Sequence, residues 1–272
     1  MRQYAGNMTT KIYAIANQKG GVGKTTTCLC LGSALAEANQ KVLLIDLDPQ
    51  AGLTTSLGLN PHSFDLTIYN VLINPESTRL QQIIGQTNVP NLYFAPSNLD
   101  LAGAEGELIG EIGWDRSLKD VLPPVAKDYH FILVDCPPSL GVLTTNALIA
   151  ADQVIIPVQT EYLALRGLKH LSEIIAKVKR KGNSNLTLRV LRTMHDVRTL
   201  HTREVVEELG EVFRDQIYKT IIKRTIKFAD ATVAGESILS YAKNSEGAIA
   251  YRNLSKEVLK DEKKANIERQ RS

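Results

Sequence analysis

One glycine-rich stretch constrains this chain more than any other part of it: residues 17–28 read NQKGGVGKTTTC. The stretch follows a short apolar run and precedes a helix-like pattern, which is the strand–loop–helix context of a phosphate-binding loop. Glycines at 20, 21 and 23 allow backbone N–H groups to approach phosphate oxygens, and the following helix directs its positive N-terminal dipole at the same anion. The stretch therefore predicts both a nucleotide site and an α/β architecture to carry it.

Within this loop, the pattern G-x-x-x-x-G-K-[ST] is met only at its end. Gly23, Lys24 and Thr25 occupy the expected places. Gln18 stands where the first glycine belongs, and Lys19 adds a second lysine. We expect Lys24 to reach the β- and γ-phosphates and the Thr25 hydroxyl to bind Mg²⁺. The predicted ATP-binding residues of the loop are Lys19, Gly20, Gly21, Val22, Gly23, Lys24, Thr25 and Thr26.

Apolar runs alternate with helix-like patterns along the chain, which is typical of βαβ units on a parallel sheet. We predict a single α/β P-loop NTPase domain over residues 11–260, with a mostly parallel, twisted sheet and helices on both faces. A flexible extension over 1–10 and a polar tail over 261–272 would flank it. The predicted strands cover 11–17, 41–48, 91–97, 130–135, 153–159, 186–194 and 215–222. The predicted helices cover 25–39, 66–73, 100–109, 115–126, 163–181, 202–213 and 246–262.

Composition excludes several classes of protein. The chain is 43% hydrophobic and 22% charged, which suits a soluble protein with a core. No run approaches the ~18 apolar residues of a membrane span. The first residues lack the apolar core of a secretory signal, so we expect a cytoplasmic protein. Cys28, Cys30 and Cys136 show no C-x-x-C spacing, so neither a disulfide framework nor a zinc site is indicated.

Aspartates near the ends of two apolar runs supply the rest of a triphosphate site. In FILVDCPPS, Asp135 follows four apolar residues and precedes two prolines, which suits the Walker-B carboxylate that holds Mg²⁺. In LLIDLDPQ, Asp46 and Asp48 are expected to share one face of the strand. We expect Asp46 to support the magnesium shell and Asp48 to orient or deprotonate the attacking water, a plain turn aspartate being the alternative for Asp48. The candidate catalytic residues are thus Lys19, Lys24 and Asp48, and the candidate metal residues are Thr25, Asp46 and Asp135.

Charge is unevenly distributed along the chain, although the net charge is only +3. Between residues 166 and 227 there are 15 Lys and Arg against 7 Asp and Glu. Such an excess is typical of a surface that meets a polyanion, and a solvated charged face is the alternative.

Three motifs together, NQKGGVGKTT, KVLLIDLDPQ and FILVDCPPS, resemble the deviant Walker-A ATPases of the ParA/MinD group, and the small Soj-type ParA proteins most of all. The similarity runs from about residue 11 to residue 258. It implies an ATPase that uses ATP and Mg²⁺, is weak alone, and forms a homodimer around two nucleotides. In that family the upstream lysine, here Lys19, reaches the phosphates of the partner's ATP. The physical reason is that two facing triphosphates repel unless each subunit donates a cation.

The resemblance also implies that the ATP-bound dimer binds double-stranded DNA without sequence preference. The family's basic DNA-contacting positions match Arg198 and Lys227, with Arg224 nearby. Position 227 carries lysine where the family more usually has arginine. A lysine can still contact a phosphate as a point charge, but it cannot make the bidentate contact that an arginine can. A ParB-like activator on a cargo would stimulate hydrolysis, so we expect a cytoplasmic, nucleoid-associated protein that segregates or positions that cargo.

The base side of the nucleotide site departs from the family pattern. Where close relatives carry P-R-N near the adenine, this chain has Lys223-Arg224-Thr225. We therefore predict Lys223 and Thr225 beside the base, with Met194 and Asp196 as further neighbours.

Other functions fit the sequence less well. A MinD-like membrane-cycling ATPase is the main alternative, but it needs a large apolar face on a C-terminal helix, and the tail after Leu259 offers only Ala265 and Ile267. An iron–sulfur relative needs cysteines at a dimer axis, and none of the three cysteines of this chain is expected to lie there. A helix-turn-helix repressor needs a longer segment before the first strand than the ten residues here. Nucleotide binding without turnover is a further alternative, which a variant of Asp48 would distinguish.

Overall fold

The computed structural model describes residues 10–159, 164–195, 207 and 209–271. Its strands are β1 (Lys11–Ile15), β2 (Val42–Asp46), β3 (Gly85–Gln86), β4 (Leu92–Ala95), β5 (Phe131–Asp135), β6 (Gln153–Gln159), β7 (Thr187–His195) and β8 (Ile217–Lys223). They form one eight-stranded sheet in the order β3-β4-β2-β5-β1-β6-β7-β8. Every pairing is parallel except that of β3 with β4.

The strands at the centre of the sheet are those with continuous apolar sequence. Every residue of β2 and β5 is buried, as expected for parallel strands covered on both faces. The helices are α1 (Lys24–Glu37), α2 (Gly52–Ser56), α3 (Ile68–Ile73), α4 (Leu80–Ile83), α5 (Leu101–Ile109), α6 (Ser117–Val121), α7 (Pro123–Ala126), α8 (Val142–Ala150), α9 (Ala164–Lys181), α10 (Lys227–Val233), α11 (Ile238–Tyr241) and α12 (Glu246–Arg271).

Helices cover both faces of the sheet and create two apolar cores. One core includes residues of α3, α5, α6, α8 and α9. The other includes residues of α1, α11 and α12. The predicted α/β class, with a mostly parallel sheet and helices on both faces, is confirmed.

The predicted helix boundaries need correction at two places. The segment predicted as one helix over 115–126 is a 3-10 turn followed by α6 and α7, because Pro123 starts a new helix and has no N–H to continue the previous one. The last helix extends to Arg271, well past 262. Its later turns dock on the sheet, since Asp261 lies 2.7 Å from the Arg189 guanidinium and Glu262 accepts from the Tyr13 hydroxyl at 2.6 Å.

Several short elements have no counterpart among the predictions. The strand β3 has two residues, and α2, α4, α10 and α11 have four to seven residues each. Elements this short give no periodic signal in the sequence. The predicted extension over 1–10 lies outside the described residues except for residue 10. Of the predicted helix over 202–213, residues 207 and 209–213 are described and are helical, and the others lie outside the described residues. Among the residues that are described, no helix is both long and apolar enough to cross a membrane.

Candidate functional site

The glycine-rich loop joins β1 to α1 at the carboxyl edge of the sheet. Gly21 and Gly23 have φ values of 72° and 89°, which L-residues with a side chain rarely adopt. A Cβ built on Gly20, Gly21 or Gly23 would meet no atom within 4 Å, so the loop surrounds open space. The N-terminus of α1 opens into that space without a side-chain cap. Both features are those of an anion-binding loop.

Lys24, the first residue of α1, is largely buried in this loop. Its Nζ donates to the Lys19 carbonyl oxygen at 3.4 Å, and its relative exposure is 7%. Burial lowers the pKa of Lys24, while the nearby Asp135, Cys136 and Asp48 act in the opposite direction. The ammonium therefore lies between the loop and the aspartates, where phosphate oxygens would gain most from it.

Asp135 ends β5 directly beside the loop. It pairs in register with Ile15 on one side and Asp46 on the other, and its side chain is fully buried. Neither carboxylate oxygen makes a hydrogen bond within the described part of the chain. Burial, and then the neighbouring Asp46, raise the pKa of Asp135 well above its usual range. The Thr25 hydroxyl, which lies near the carboxylate without reaching hydrogen-bond geometry, and Lys24 lower it. A buried carboxylate without a donor requires an explanation, and a cation beside Thr25 supplies one.

Asp46 ends β2 next to Asp135, and its oxygens are already occupied. One accepts from the Thr54 backbone N–H at 2.8 Å and from the Thr54 hydroxyl at 2.7 Å. The other accepts from the Asp48 backbone N–H at 3.2 Å. Burial raises the pKa of Asp46 to about 6, although the Thr54 and Asp48 hydrogen bonds lower it. Direct metal ligation by Asp46 would require it to give up one of these bonds.

Asp48 does not lie on the strand, contrary to the sequence prediction. The strand β2 ends at Asp46, and Asp48 belongs to the turn that leads to α2. Its carboxylate accepts from the Gln50 backbone N–H at 2.9 Å, which is a turn contact favoured by the following Pro49. Asp48 is half-buried and still close enough to raise the pKa of Lys24. Asp46 and Asp48 therefore lie near the same site because a turn follows the strand, and not because they alternate along one face of a strand.

The second lysine of the loop contacts the end of a neighbouring strand. The Lys19 Nζ donates to Gln159 Oε1 at 3.2 Å, and Gln159 is the last residue of β6. The Lys19 backbone N–H donates to the Asn17 side chain at 3.0 Å. The predicted reach of Lys19 into a partner subunit stays a prediction.

A pocket of about 280 Å³ adjoins the loop on the side away from the aspartates. It brings together three of the predicted base-side residues, Met194, Lys223 and Thr225, with Gly23 and Thr26 of the loop. Arg224, which is predicted to contact DNA, also lines it. The Thr193 hydroxyl donates to the Val22 carbonyl at 2.8 Å and so fixes the end of β7 against the loop. Met194 has a φ of 48°, an unfavourable value for its side chain. Phe228 and Tyr251 also line this pocket, and no pattern in the sequence marked them.

The predicted DNA-contacting residues are only partly visible. Arg224 and Lys227 are exposed beside the pocket, at the start of α10. Ile226 between them is 76% exposed, so this surface has no cover from the described chain. Asp196 and Arg198 lie outside the described residues.

Comparison with known proteins agrees with this geometry. A family model described as AAA domain matches residues 10–188. The chain is 45% identical over 249 residues to the sporulation initiation inhibitor protein Soj of Bacillus subtilis, covering 91% of this chain and 98% of that protein. It is 41% identical over 250 residues to the chromosome-partitioning ATPase Soj of Treponema pallidum, covering 92% of this chain and 97% of that protein.

Solved structures with bound nucleotide share the fold. The cobyrinic acid a,c-diamide synthase of Mycobacterium smegmatis, with a bound ATP analog and magnesium, has a TM-score of 0.81 and 38% identity, covering 92% of this chain and 94% of that chain. A plasmid partition protein of Borrelia burgdorferi bound to AMPPNP has a TM-score of 0.77 and 30% identity, covering 93% of this chain and 99% of that chain.

Proposed function

The chain belongs to the ParA/Soj family of P-loop ATPases, and from that premise we propose that it is a partition ATPase that hydrolyses ATP with Mg²⁺. One observation carries the proposal: the fully buried carboxylate of Asp135, which accepts no hydrogen bond from the described residues, lies beside an open phosphate-type loop. The relatives named for chromosome and plasmid partition support the biological role.

Three residues would hold the metal and the phosphates. The Thr25 hydroxyl and Asp135 suit Mg²⁺, which takes few protein ligands and keeps several waters. When bound, Mg²⁺ withdraws negative charge from the phosphate oxygens. Lys24 supplies a second positive charge from within the loop, in a buried position where its effect on a developing negative charge is strong.

Asp48 is the residue we assign to the attacking water. Its turn places the carboxylate at the open side of the aspartate cluster, and it is less buried than Asp46 or Asp135. An Asp48→Ala variant is expected to bind ATP and DNA and to lose partner-stimulated hydrolysis. Steady-state phosphate release with and without an activator measures this, and normal turnover would show that another group positions the water.

The pocket beside the loop is the proposed adenine site. Phe228 offers an aromatic face to a base, and the backbone around Thr225 offers hydrogen-bonding groups. Because Lys223 and Thr225 replace the proline and asparagine of close relatives, we propose that discrimination between adenine and other bases is weaker here.

Lys19 is proposed to complete a second subunit's site in an ATP-bound homodimer. Its Nζ donates to the neutral side chain of Gln159 at 3.2 Å, and a charge-assisted bond to a phosphate oxygen is stronger than a bond to a neutral amide. Lys19→Ala should therefore abolish ATP-dependent dimerisation while leaving monomeric nucleotide binding, as measured by light scattering. An ATP-dependent dimer of normal affinity would rule out the cross-subunit role.

We further propose that this dimer binds double-stranded DNA through Arg198, Arg224 and Lys227, and that a ParB-like activator stimulates its release. Nucleoid localisation follows from that binding. Contacts to phosphates are salt-dependent and carry no base information, so affinity should fall steeply with salt for any duplex sequence.

The test is binding of a duplex of arbitrary sequence at fixed moderate salt, with ATP, ADP or no nucleotide. We expect tight binding with ATP alone, and loss of it in Arg198→Ala and Lys227→Ala. Lys127→Ala, an exposed lysine at the opposite edge of the sheet, serves as the matched control. No binding in any nucleotide state would contradict the DNA role and leave the ATPase role to be judged by phosphate release.

A further inference from the structure

A groove of about 530 Å³ lies between the C-terminal ends of α3 and α5 and the helix α6. Its floor is apolar and includes Leu72, Ile73, Leu108 and Val121. Its rim carries the carboxylates of Glu107, Glu111 and Asp120. No Lys or Arg is among the described residues that line it. We refer to it as the acidic groove.

The acidic groove is separate from the nucleotide site. The helix α3 begins at the carboxyl edge of the sheet, where the Ile68 backbone N–H donates to the Pro96 carbonyl at 2.9 Å. The helix α5 directly follows the parallel strand β4, and it is expected to run back from the same edge. The groove lies at the far ends of α3 and α5, so a molecule bound there would leave the phosphate loop open.

Apolar side chains beside the acidic groove are unusually exposed. Ile112 has a relative exposure of 105% and Ile109 of 60%. A single exposed isoleucine needs no explanation, but Ile112 lines the groove and Ile109 lies three residues before it, so exposed apolar side chains are concentrated in this segment. Glu107 is already held by the Tyr69 hydroxyl at 3.2 Å, so part of the charged rim is ordered before any partner binds.

We propose that the acidic groove binds a basic amphipathic segment of a partner protein, with apolar side chains in the cavity and Lys or Arg side chains on the rim. Charge selects this occupant: residues 98–121 contain six Asp and Glu against two Lys and Arg, in a chain whose net charge is +3. The negative charge is therefore local, and it repels nucleic acid and anionic membranes as occupants of this surface.

The test uses fluorescence anisotropy of short labelled peptides with the full chain. One peptide carries Leu and Lys at helical spacing, and a second carries Glu in place of each Lys. The Lys peptide should bind, and the double variant Glu107→Lys/Glu111→Lys should weaken it about tenfold, which is the effect of two rim charges. Glu268→Lys, an exposed position on α12, is the control and should leave the affinity unchanged.

Two results would overturn this assignment. Equal weakening by Glu268→Lys would mean that the peptide senses net charge rather than the groove. Self-association of the chain that Ile112→Ser or the double variant abolishes would instead assign the groove to a second copy of this chain.

A second inference concerns the turn that carries Asp48, and it rests on the proposed function. The Thr54 hydroxyl donates to Asp46 at 2.7 Å and accepts from the Ser97 backbone N–H at 3.1 Å. The Ser97 hydroxyl donates to the Asp48 carbonyl at 2.8 Å. Thr54 and Ser97 are both buried, so these bonds are shielded from water.

The geometry points to Thr54 and Ser97 as positioning residues for Asp48. Together they hold both ends of the segment 46–48, one through the Asp46 side chain and the other through the Asp48 backbone. Both hydroxyls are already engaged within this network, so we expect them to act on hydrolysis through the orientation of Asp48.

Thr54→Val, which keeps the shape and removes the hydroxyl, should lower kcat about tenfold and leave KM for ATP within about twofold. Ser97→Ala should act in the same direction. Thr54→Ser should restore kcat because it restores the hydroxyl. Thr55→Val is the matched control, since among the described residues the Thr55 hydroxyl donates only to the carbonyl of Ala51, just before the start of α2.

The outcomes separate the two levels of inference. An unmodified chain that binds ATP and never hydrolyses it would contradict the proposed function. Normal hydrolysis in the unmodified chain together with unchanged kcat in Thr54→Val and Ser97→Ala would contradict only the positioning role. If KM for ATP rose together with the loss of kcat in Thr54→Val and Ser97→Ala, and Thr54→Ser did not restore either value, the effect would be a general structural one. That result would also contradict the positioning role.

Discussion

Two neighbouring strands of this sheet end in aspartates that look alike in the sequence and differ in the fold. Asp46 ends β2 and Asp135 ends β5, they are paired in register, and both are buried. Asp46 accepts three hydrogen bonds from Thr54 and Asp48. Asp135 accepts none from the described residues. The described residues thus stabilise one carboxylate and leave the other without a donor, which supports the metal role proposed for Asp135.

This difference in hydrogen bonding distinguishes a carboxylate that stabilises the fold, Asp46, from one that is available to a ligand, Asp135. A buried carboxylate costs free energy unless donors or a cation compensate for the water it has lost. At Asp46 the turn and α2 compensate. At Asp135 the described residues supply no such donor. If the proposed metal and nucleotide supply the compensation, the stability of this region should depend on both.

The largest expected effect comes from Asp135→Asn. The variant removes a charge that the fold does not stabilise, so the free energy of unfolding without ligand should be unchanged or increased. Hydrolysis should fall about 100-fold or more, because the metal loses its carboxylate. Urea unfolding and phosphate release on the same preparation measure both. A clearly less stable variant would mean that Asp135 is satisfied within the protein.

The reverse is expected for Asp46→Ala. This change leaves the Thr54 hydroxyl and two backbone N–H groups without an acceptor in a buried place, so it should destabilise the fold by about 3 kcal/mol. Asp128→Ala, at an exposed aspartate, is the control and should stay within about 0.5 kcal/mol. Similar stability of the two variants would contradict the structural role of Asp46.

Removal of nucleotide and metal should also distinguish the unmodified chain from the Asp135→Asn variant. At saturating ATP and Mg²⁺ the Tm of the unmodified chain should rise by about 5 °C over a sample with EDTA and no nucleotide. Asp135→Asn should show a much smaller rise, whatever its own Tm. Differential scanning fluorimetry detects this, and an equal rise in both proteins would exclude Asp135 as a metal ligand.

The smallest effect is a pH dependence in the absence of ligand. The pKa of Asp135 is raised by burial, so the native carboxyl keeps a proton at pH values where the unfolded one has lost it. The native state then binds more protons, and stability relative to Asp135→Asn should fall as pH rises above about 4, by at most about 1.4 kcal/mol per pH unit. Urea midpoints across a pH series measure the difference. A relative stability that grows with pH would contradict the raised pKa.

Local patterns allowed much of the site to be predicted. The loop from Lys19 to Thr26 and the aspartate that ends β5 follow from contiguous residues, because a phosphate loop and a buried strand each have a signature within a few residues. The position of Asp48 was predicted on the strand and lies in a turn instead, because Pro49 and the bond from Gln50 favour a turn there. Sequence alternation alone cannot show where a strand stops.

Non-local contacts account for the residues that sequence reasoning missed. Thr54 and Ser97 reach the aspartates from α2 and from the segment after β4, and the hydrogen bond between them spans 43 positions. Phe228 and Tyr251 reach the pocket beside the phosphate loop from α10 and α12. Hydroxyl and aromatic residues are common along the chain, so only their placement distinguishes them.

The sequence by itself determined the α/β class, the phosphate loop and the family, because each depends on residues that are adjacent or regularly spaced. The tertiary structure decided which aspartate is satisfied and which is open, since that depends on donors brought from distant elements. The physical reason is burial: two carboxyl groups with the same chemistry differ in free energy only through the groups that surround them when water is removed.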